Sequence, residues 1–489
     1  MKQGFENVST FAAWAIMAAM AVVSAITPLR GADAPTELLL DFSRTNGFLR
    51  PLHGINKGPL AAGGLIDVTA ALQMLKPPSV RLHDCHWPNP DVVDVHCVFP
   101  DFNAASDQAA SYDFALTDEY LADTRQTGAQ IVYRLGESIE HTSKRRFAHP
   151  PRDAAQWANI CLGIIRHYNE GWANGFHCDI RYWEIWNEPE NRPAMWSGTD
   201  EDYFHLYRVA ANAIKRRYPR LKVGGPAVGA SGQFVDGEFR PTAFVTNFLA
   251  LCRREDLPLD FFSWHCYTAD PRELVRRVRA IRSLLDANGF TKTESHLNEW
   301  NFLPGGSWAP LSRSSSPQAR QAYYEAMAGA PGAAFIVSAL LDLQDAPVDV
   351  CNLYHGELGG FGLFNENGVP QKNYYALLAF RRLLDTPRRV ETHDGMAGQL
   401  AVAAGLNEAG SEASVLISQL ARSHTEYRLM VSQLPWSGRT VVATRLVDAT
   451  HDFVLIGNAT NATGNGVMSL TLDGPAVALL QWQSAARTR

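Results

Sequence analysis

The chain has 489 residues, 46% hydrophobic and 19% charged, with a formal net charge of −6. That apolar fraction can fill a large core, and no Lys/Arg run or basic stripe marks a nucleic-acid surface. Twelve Trp and fifteen Tyr offer flat faces of the kind that stack on sugars, although core packing is their commoner use.

In chain order, the first feature is a targeting segment. Lys2 precedes an apolar run, FAAWAIMAAMAVVSA (residues 11–25), which has the length of a signal-peptide core and is short for a membrane span. Val23-Ser24-Ala25 and Ala32-Asp33-Ala34 are the two cleavage candidates. Residues 1–34 are therefore expected to be a signal peptide, the alternative being an uncleaved anchor. The mature chain is expected to be exported, periplasmic or secreted, without a stable membrane span.

From about residue 50 to 385 short apolar segments alternate with helical periodicity. The segments are PSVRLHDC, AQIVYRLGES, RYWEIWNEP, LKVGGPAV, LDFFSWHCY, SHLNEWN and AAFIVSALLDL. Between them lie stretches such as DAAQWANICLGIIRHYNE, YFHLYRVAANAIKRRYP and ELVRRVRAIRSLLDANG. Strand-then-helix repetition on this scale predicts a closed (β/α)8 TIM barrel of the α/β class over residues 35–387. The early strand TELLLDF fits either this barrel or the domain that follows it. After YYALLAFRRLLDTP the pattern changes to short strands separated by Gly, Asn and Pro turns. Residues 388–489 are read as an accessory antiparallel, β-sandwich-like C-terminal domain.

The seven cysteines are odd in number and have no CxxC pair. Cys85 and Cys97 are close enough in sequence to bridge; buried thiols are the alternative.

The stretch RYWEIWNEPE (residues 181–190) opens as a buried strand and is stopped by Pro189, which cannot donate to a ladder. Barrel chemistry sits where strands end, on the βα loops, and that is where Glu188 lies. Strand alternation places Glu184, Trp186 and Glu188 on one face, with Tyr182 below. SHLNEWN puts Glu299 at the end of a later strand. Two carboxyl groups facing each other over a cleft, one protonated and one ionised, are what cleavage of a glycosidic bond requires.

These motifs carry a family resemblance. WEIWNEPE resembles the acid/base motif of the large retaining glycosidase clan built on eight-fold barrels, and LNEWN resembles its nucleophile strand. SVRLHDC, DFFSWHCY and GGFGLFNENGVPQKNYYALLAF are similar to segments of glycoside hydrolase family thirty-nine, which includes β-xylosidases and α-L-iduronidases. The resemblance implies a retaining, exo-acting glycosidase on β-xyloside-like or related glycan ends, working without cofactor or metal on a carbohydrate partner. It implies Glu188 as general acid/base, kept neutral by burial and by the Glu299 charge, and Glu299 as nucleophile. It further implies Asn187 on the sugar 2-hydroxyl, Tyr267 hydrogen-bonded to the nucleophile, and His83 and His265 near the innermost sugar. Other clan activities (arabinofuranosidase, iduronidase, endo-glycanase) are the nearer alternatives, and a non-catalytic sugar-binding barrel the more distant one.

Arg81, Arg134 and Glu184 sit inside apparent barrel strands, where a bare charge is costly. At least one arginine is expected to pair with Glu184 or with a catalytic carboxylate below the cleft. Asp342, Asp345 and Glu357 are candidates for sugar hydroxyls, and Trp196 for a stacking platform under the leaving group. A competing metal reading uses His83, Cys85, His86, His96 and Cys97, whose spacing matches no standard zinc pattern. Asn458 and Asn461 stand in glycosylation sequons.

Overall fold

A computed structural model describes residues 35–392, 399–421, 423–461 and 464–484; the expected signal peptide at 1–34 lies outside them. Eight parallel strands close a barrel: β1 (Gly54–Asn56), β2 (Ser79–Leu82), β3 (Gln130–Leu135), β4 (Tyr182–Ile185), β5 (Lys222–Val228), β6 (Phe261–Thr268), β7 (Glu294–Phe302) and β8 (Val350–Leu353). Each pairs with its sequence neighbour, and β8 closes the ring on β1.

The helices form where the apolar spacing and the caps agree. Asp153 accepts from the backbone N–H groups of Ala155 and Gln156 and starts Ala154–Glu170. Gly171, at φ 73°, ends that helix in the left-handed conformation that glycine adopts freely. Thr199 and Asp202 form a reciprocal capping box at the start of Asp200–Arg217. Trp157, Ile160, Ile164 and Tyr168 face inward from the first of these helices.

One predicted strand is a helix. AAFIVSALLDL belongs to Ala330–Asp342, which is buried along nearly its whole length. A segment apolar on every side shows neither strand nor helix periodicity, so only its length could decide, and 13 residues is long for a strand. The true eighth strand is the VCNL that follows. With β1, it is among the shortest in the barrel, and neither stands out as an apolar run.

The C-terminal region forms two sheets. A seven-stranded antiparallel sheet runs in the order Thr45–Phe48, Arg388–Val390, Leu400–Leu406, Glu412–Gln419, Ala476–Ser484, Thr440–Val447, Asp452–Asn461. A three-stranded sheet joins Thr36–Asp41, His424–Ser432 and Gly466–Asp473. The TELLLDF strand therefore pairs here, in parallel with His424–Ser432, and not in the barrel. Leu38, Leu40, Leu429, Leu472 and Trp482 make a core shared by the two sheets. The helix Ala330–Asp342 lies between barrel and sheets: Ser338 donates to Ser418 Oγ, and Ser418 donates to the Ala334 carbonyl. From Thr36 onward the described residues form one compact unit.

Candidate active site

The regular strand β4 stops at Ile185, and the backbone then turns through positive φ at Trp186 (70°) and Glu188 (44°). Such conformations are strained for side-chain-bearing residues and cluster at functional sites. The turn corrects the expected alternation. Trp186 does not join Glu184 on the barrel's inner face; it packs outward against Trp157 and Trp196 and donates Nε1–H to the Met195 carbonyl. Glu188 swings into the cleft. Its N–H donates to the Ala227 carbonyl at 3.0 Å, and its carboxyl lies on Gly229, where an added Cβ would come within 2.4 Å of Oε1.

Glu299 lies on β7, across the mouth. Arg81 Nη1 donates to its Oε1 at 2.8 Å and the Tyr267 hydroxyl to its Oε2 at 2.9 Å. His265 joins the two carboxylates: its Nδ1 is 2.6 Å from Glu188 Oε1 and 3.5 Å from Glu299 Oε2. Glu188, His265 and Glu299 each bring one polar atom within 4.8 Å of the others. Asn191 Nδ2 donates to Glu188 Oε2 at 2.9 Å.

Beneath them Arg81 is fully buried and forks between several acceptors. It bonds Glu184 through Nε (2.7 Å), Asn187 Oδ1 through Nη2 (2.6 Å) and Asn56 Oδ1 through Nη1 (3.1 Å), besides Glu299. A buried guanidinium is tolerated because its donors are met by two carboxylates and two amides. Arg134 pairs with Asp94 and donates Nε–H to His83 Nδ1 at 3.2 Å. The other His83 nitrogen therefore carries the hydrogen, 3.3 Å from Asp84 and 3.7 Å from Glu299.

The charges are coupled. Burial raises the Glu188 carboxyl, but the hydrogen bond and charge of His265 outweigh it and hold the group below the ordinary carboxylate value. At Glu299 burial dominates, with the Glu188 charge adding to it and His265 and Arg81 opposing, so this carboxyl lies above the ordinary value. His265 is raised although burial opposes it, through the Glu299 charge and the bond to Glu188. These directions run against the expectation that burial and the Glu299 charge keep Glu188 neutral: His265, at hydrogen-bond distance, opposes both.

The cleft has a volume of about 770 Å³ and takes in Glu188, Glu299, Asn187, His83, His265 and Tyr267. Three expected binding residues are elsewhere. Trp196 is fully buried, with Trp186 and Tyr203 against it and its Nε1–H on the Thr199 carbonyl, so it presents no face to a ligand. Asp345 forms a two-pronged pair with Arg389 in the groove between barrel and sheets, as its place after a helix rather than a strand dictates. Asp342 lines that same groove. Glu357 is buried beside the cleft, taking the Tyr120 hydroxyl at 3.1 Å with Lys57 Nζ at 3.7 Å.

The five residues of the metal reading do not converge. His86 holds Asp91, His83 holds Asp84, and His96 holds Glu137. Asp94, His96 and Glu137 do approach one another, but the Arg134 cation already occupies Asp94. All seven cysteines are free, so Cys85 and Cys97 do not bridge; the Cys97 thiol sits against the Pro90 carbonyl and His96.

Sequence reasoning passed over Asp84, Tyr354, His355, Trp308 and Phe361, all of which line the cleft. Asp84 holds the Tyr354 hydroxyl at 2.9 Å and the Ile139 N–H at 3.0 Å. Trp308 stacks on Phe361 and meets Tyr267 edge-on. Its signal was legible: a Trp in the Gly/Pro-rich loop directly after the Glu299 strand, where barrel sites are built.

The sequence model of glycosyl hydrolases family 39 matches residues 85–388. A beta-xylosidase from Geobacillus stearothermophilus is 27% identical over 264 residues, which is 48% of this chain and 48% of that protein. The chain thus spans about half the length of the curated relatives it matches. Among solved structures, a glucosidase from Croceicoccus marinus superposes with a TM-score of 0.77 at 24% identity, covering 93% of this chain and all of that one. A monomeric beta-xylosidase from Caulobacter crescentus CB15 gives 0.69 at 18%, covering 92% and 100%. At such identities these structures speak for the fold, while the family match takes in both cleft carboxylates: the chain belongs to the glycosyl hydrolases family 39.

Proposed function

We propose that the chain is a retaining glycoside hydrolase that removes a terminal, uncharged sugar of the β-xyloside type. One observation carries this reading. Glu188 and Glu299 each place an oxygen within 4.8 Å of the other and of His265. Retaining enzymes hold their carboxyl groups about 5–5.5 Å apart, whereas an inverting pair needs about 6.5–9.5 Å to admit a water. The beta-xylosidases among the matched relatives support xylose-type ends. No Lys or Arg is among the described residues that line the cleft, which favours a neutral sugar over a uronate that would need a cation.

The steps follow from the contacts. Arg81 and Tyr267 each donate to one oxygen of Glu299 and favour its ionised form. As the sugar displaces water, the proton on His265 passes along the 2.6 Å bond to Glu188, which hands it to the leaving oxygen. Glu299 attacks the anomeric carbon and forms a glycosyl-enzyme. A water enters, Glu188 removes its proton, and the sugar departs with its configuration retained. Export by the apolar segment at 11–25 is part of this reading, and N-terminal sequencing of the secreted protein tests it.

A panel of chromogenic glycosides, with the first-formed anomer followed by NMR, tests the reaction. Retention on a xyloside is the expected result; inversion defeats the mechanism. Glu299→Gln is expected to abolish turnover of every substrate. Glu188→Gln is expected to lose about 10²–10⁴-fold on alkyl glycosides and far less on nitrophenyl glycosides, whose leaving groups need no proton.

A further inference from the structure

Three buried histidines, His83, His265 and His355, line the cleft. Two of them are engaged. His265 Nδ1 meets Glu188, and its Nε2 is shut off from water. His83 is held through Nδ1 by Arg134 and faces Asp84 with Nε2. His355 differs. Its Nδ1 accepts the Glu357 N–H at 3.2 Å, so the ring is neutral and its hydrogen sits on Nε2. No group among the described residues meets that Nε2, yet the nitrogen remains open to water. His355 therefore presents a free N–H to the cleft. Burial and then the Lys57 charge hold its imidazole well below the ordinary value, in keeping with a neutral donor.

The ring is also fixed in place. It meets Tyr354 edge-on at 4.8 Å. The His355 backbone N–H donates to the Phe361 carbonyl at 3.2 Å. Asn301, two residues past Glu299, donates through Nδ2 to the Tyr354 carbonyl at 2.5 Å. A donor held in this way binds an acceptor without first having to be ordered.

The closed ring of strands indicates which acceptor it meets. His355 follows β8 directly, beside the β7 strand that carries Glu299. Glu188 follows β4, which stands opposite β8: β5, β6 and β7 separate them on one side, and β3, β2 and β1 on the other. The leaving oxygen lies at Glu188 and the anomeric carbon at Glu299. A group across the ring from Glu188 thus meets the sugar that Glu299 attacks. On a xylopyranose the hydroxyls farthest from the anomeric carbon are those at positions 3 and 4.

We propose that His355 Nε2–H donates to the 3- or 4-hydroxyl oxygen of the sugar that Glu299 attacks, and so helps to select which sugar enters the site. This rests on the glycosidase reading and adds a specificity-determining residue to that same site. The donor is neutral, as an uncharged hydroxyl requires.

Two variants test it, with kcat/KM measured on nitrophenyl xyloside and on its 3-deoxy and 4-deoxy analogues. His355→Asn keeps an acceptor for the Glu357 N–H but loses the distal donor. His355→Gln carries an amide N–H near the Nε2 position. In the wild type one of the two analogues is expected to lose about tenfold, as removal of one hydrogen bond predicts. His355→Asn is expected to lose about tenfold on the parent xyloside and nothing further on that analogue, and His355→Gln to recover part of the loss. Full activity in His355→Asn would mean that His355 only holds the Glu357 N–H, and additive losses would place the hydroxyl contact elsewhere; either overturns the proposal. A loss seen with a disaccharide and not with the nitrophenyl xyloside would put the contact on the leaving side and overturns it too. If neither variant folds, the wild type decides: a loss at one of the two positions sustains the proposal, and a flat series overturns it. A folded wild type that cleaves no glycoside defeats the glycosidase reading itself.

Discussion

Arg81 shows at the level of one residue how site and stability are joined. Its guanidinium is fully buried and satisfies Glu184 and Glu299 together. Arg81→Met is expected to lower the unfolding free energy in urea by about 3–5 kcal/mol, because Glu184 is left charged and buried without a cation, keeping only the Asn298 amide as a donor. The Arg81→Met/Glu184→Gln pair should regain much of that stability and none of the activity. The pH profile of kcat/KM follows from the same charges. Glu299 must be ionised and its group is raised, so activity should fall as pH drops through a value above the ordinary 4.5. The acid proton is shared by His265 and Glu188, and His265 is raised, so activity should fall again as pH rises through a value above 6.5. Removing the Arg81 charge takes away an influence that lowers Glu299, so in Arg81→Met the acid limb should move to higher pH. A limb that stays in place would show that Arg81 does not act on the nucleophile. The pairing of Arg81 was legible in the sequence because a charge within a barrel strand demands a partner. The position of Trp196 was not, because a Trp beside an active-site motif packs inward as readily as it stacks on a ligand.

At the scale of elements, the helix Ala330–Asp342 is the joint between the two halves of the fold, and it is the element the sequence disguised. Leu340 is fully buried within it. Leu340→Ala is expected to cost about 2–5 kcal/mol through lost burial and the cavity left behind. Because barrel and sheets share this helix, fluorescence from barrel tryptophans and from Trp482 in the sheet core should report one common transition. Two separated transitions would show that the halves unfold independently. Six barrel strands were legible from apolar runs ending in polar or catalytic residues. β1 and β8 were not: β2 and β4 are as short as β8 but sit within the longer runs PSVRLHDC and RYWEIWNEP, whereas GIN and VCNL are part of no such run. Their place is set by the neighbours they complete.

At the scale of the whole molecule, neutral histidines buried in the barrel tie stability to pH. Burial pushes His53 down to about 4 and His296 down to about 3, against an unfolded value near 6.5. For a base lowered in the folded state, the unfolded chain binds the extra proton. The stabilising effect is complete above the unfolded value and is lost as pH falls from 6.5 toward 4. His53 alone should account for about 2 kcal/mol between pH 7 and pH 5. His53→Gln keeps a donor for the Leu75 carbonyl, which His53 Nε2 meets at 3.1 Å, and should flatten that slope in urea titrations. An unchanged slope would place the pH dependence elsewhere.

The sequence by itself determined the strand-and-helix alternation, the trailing sheets and the two glutamates at strand ends, because periodicity, turn residues and a carboxylate before proline are local properties of the chain. Tertiary structure alone decided that His265 stands between those glutamates, that Trp186 turns away from the cleft while Glu188 turns into it, and that Asp345 belongs to a distant groove. Each of these depends on a charge or a contact supplied by another strand, and a one-dimensional pattern carries no record of which strands will meet.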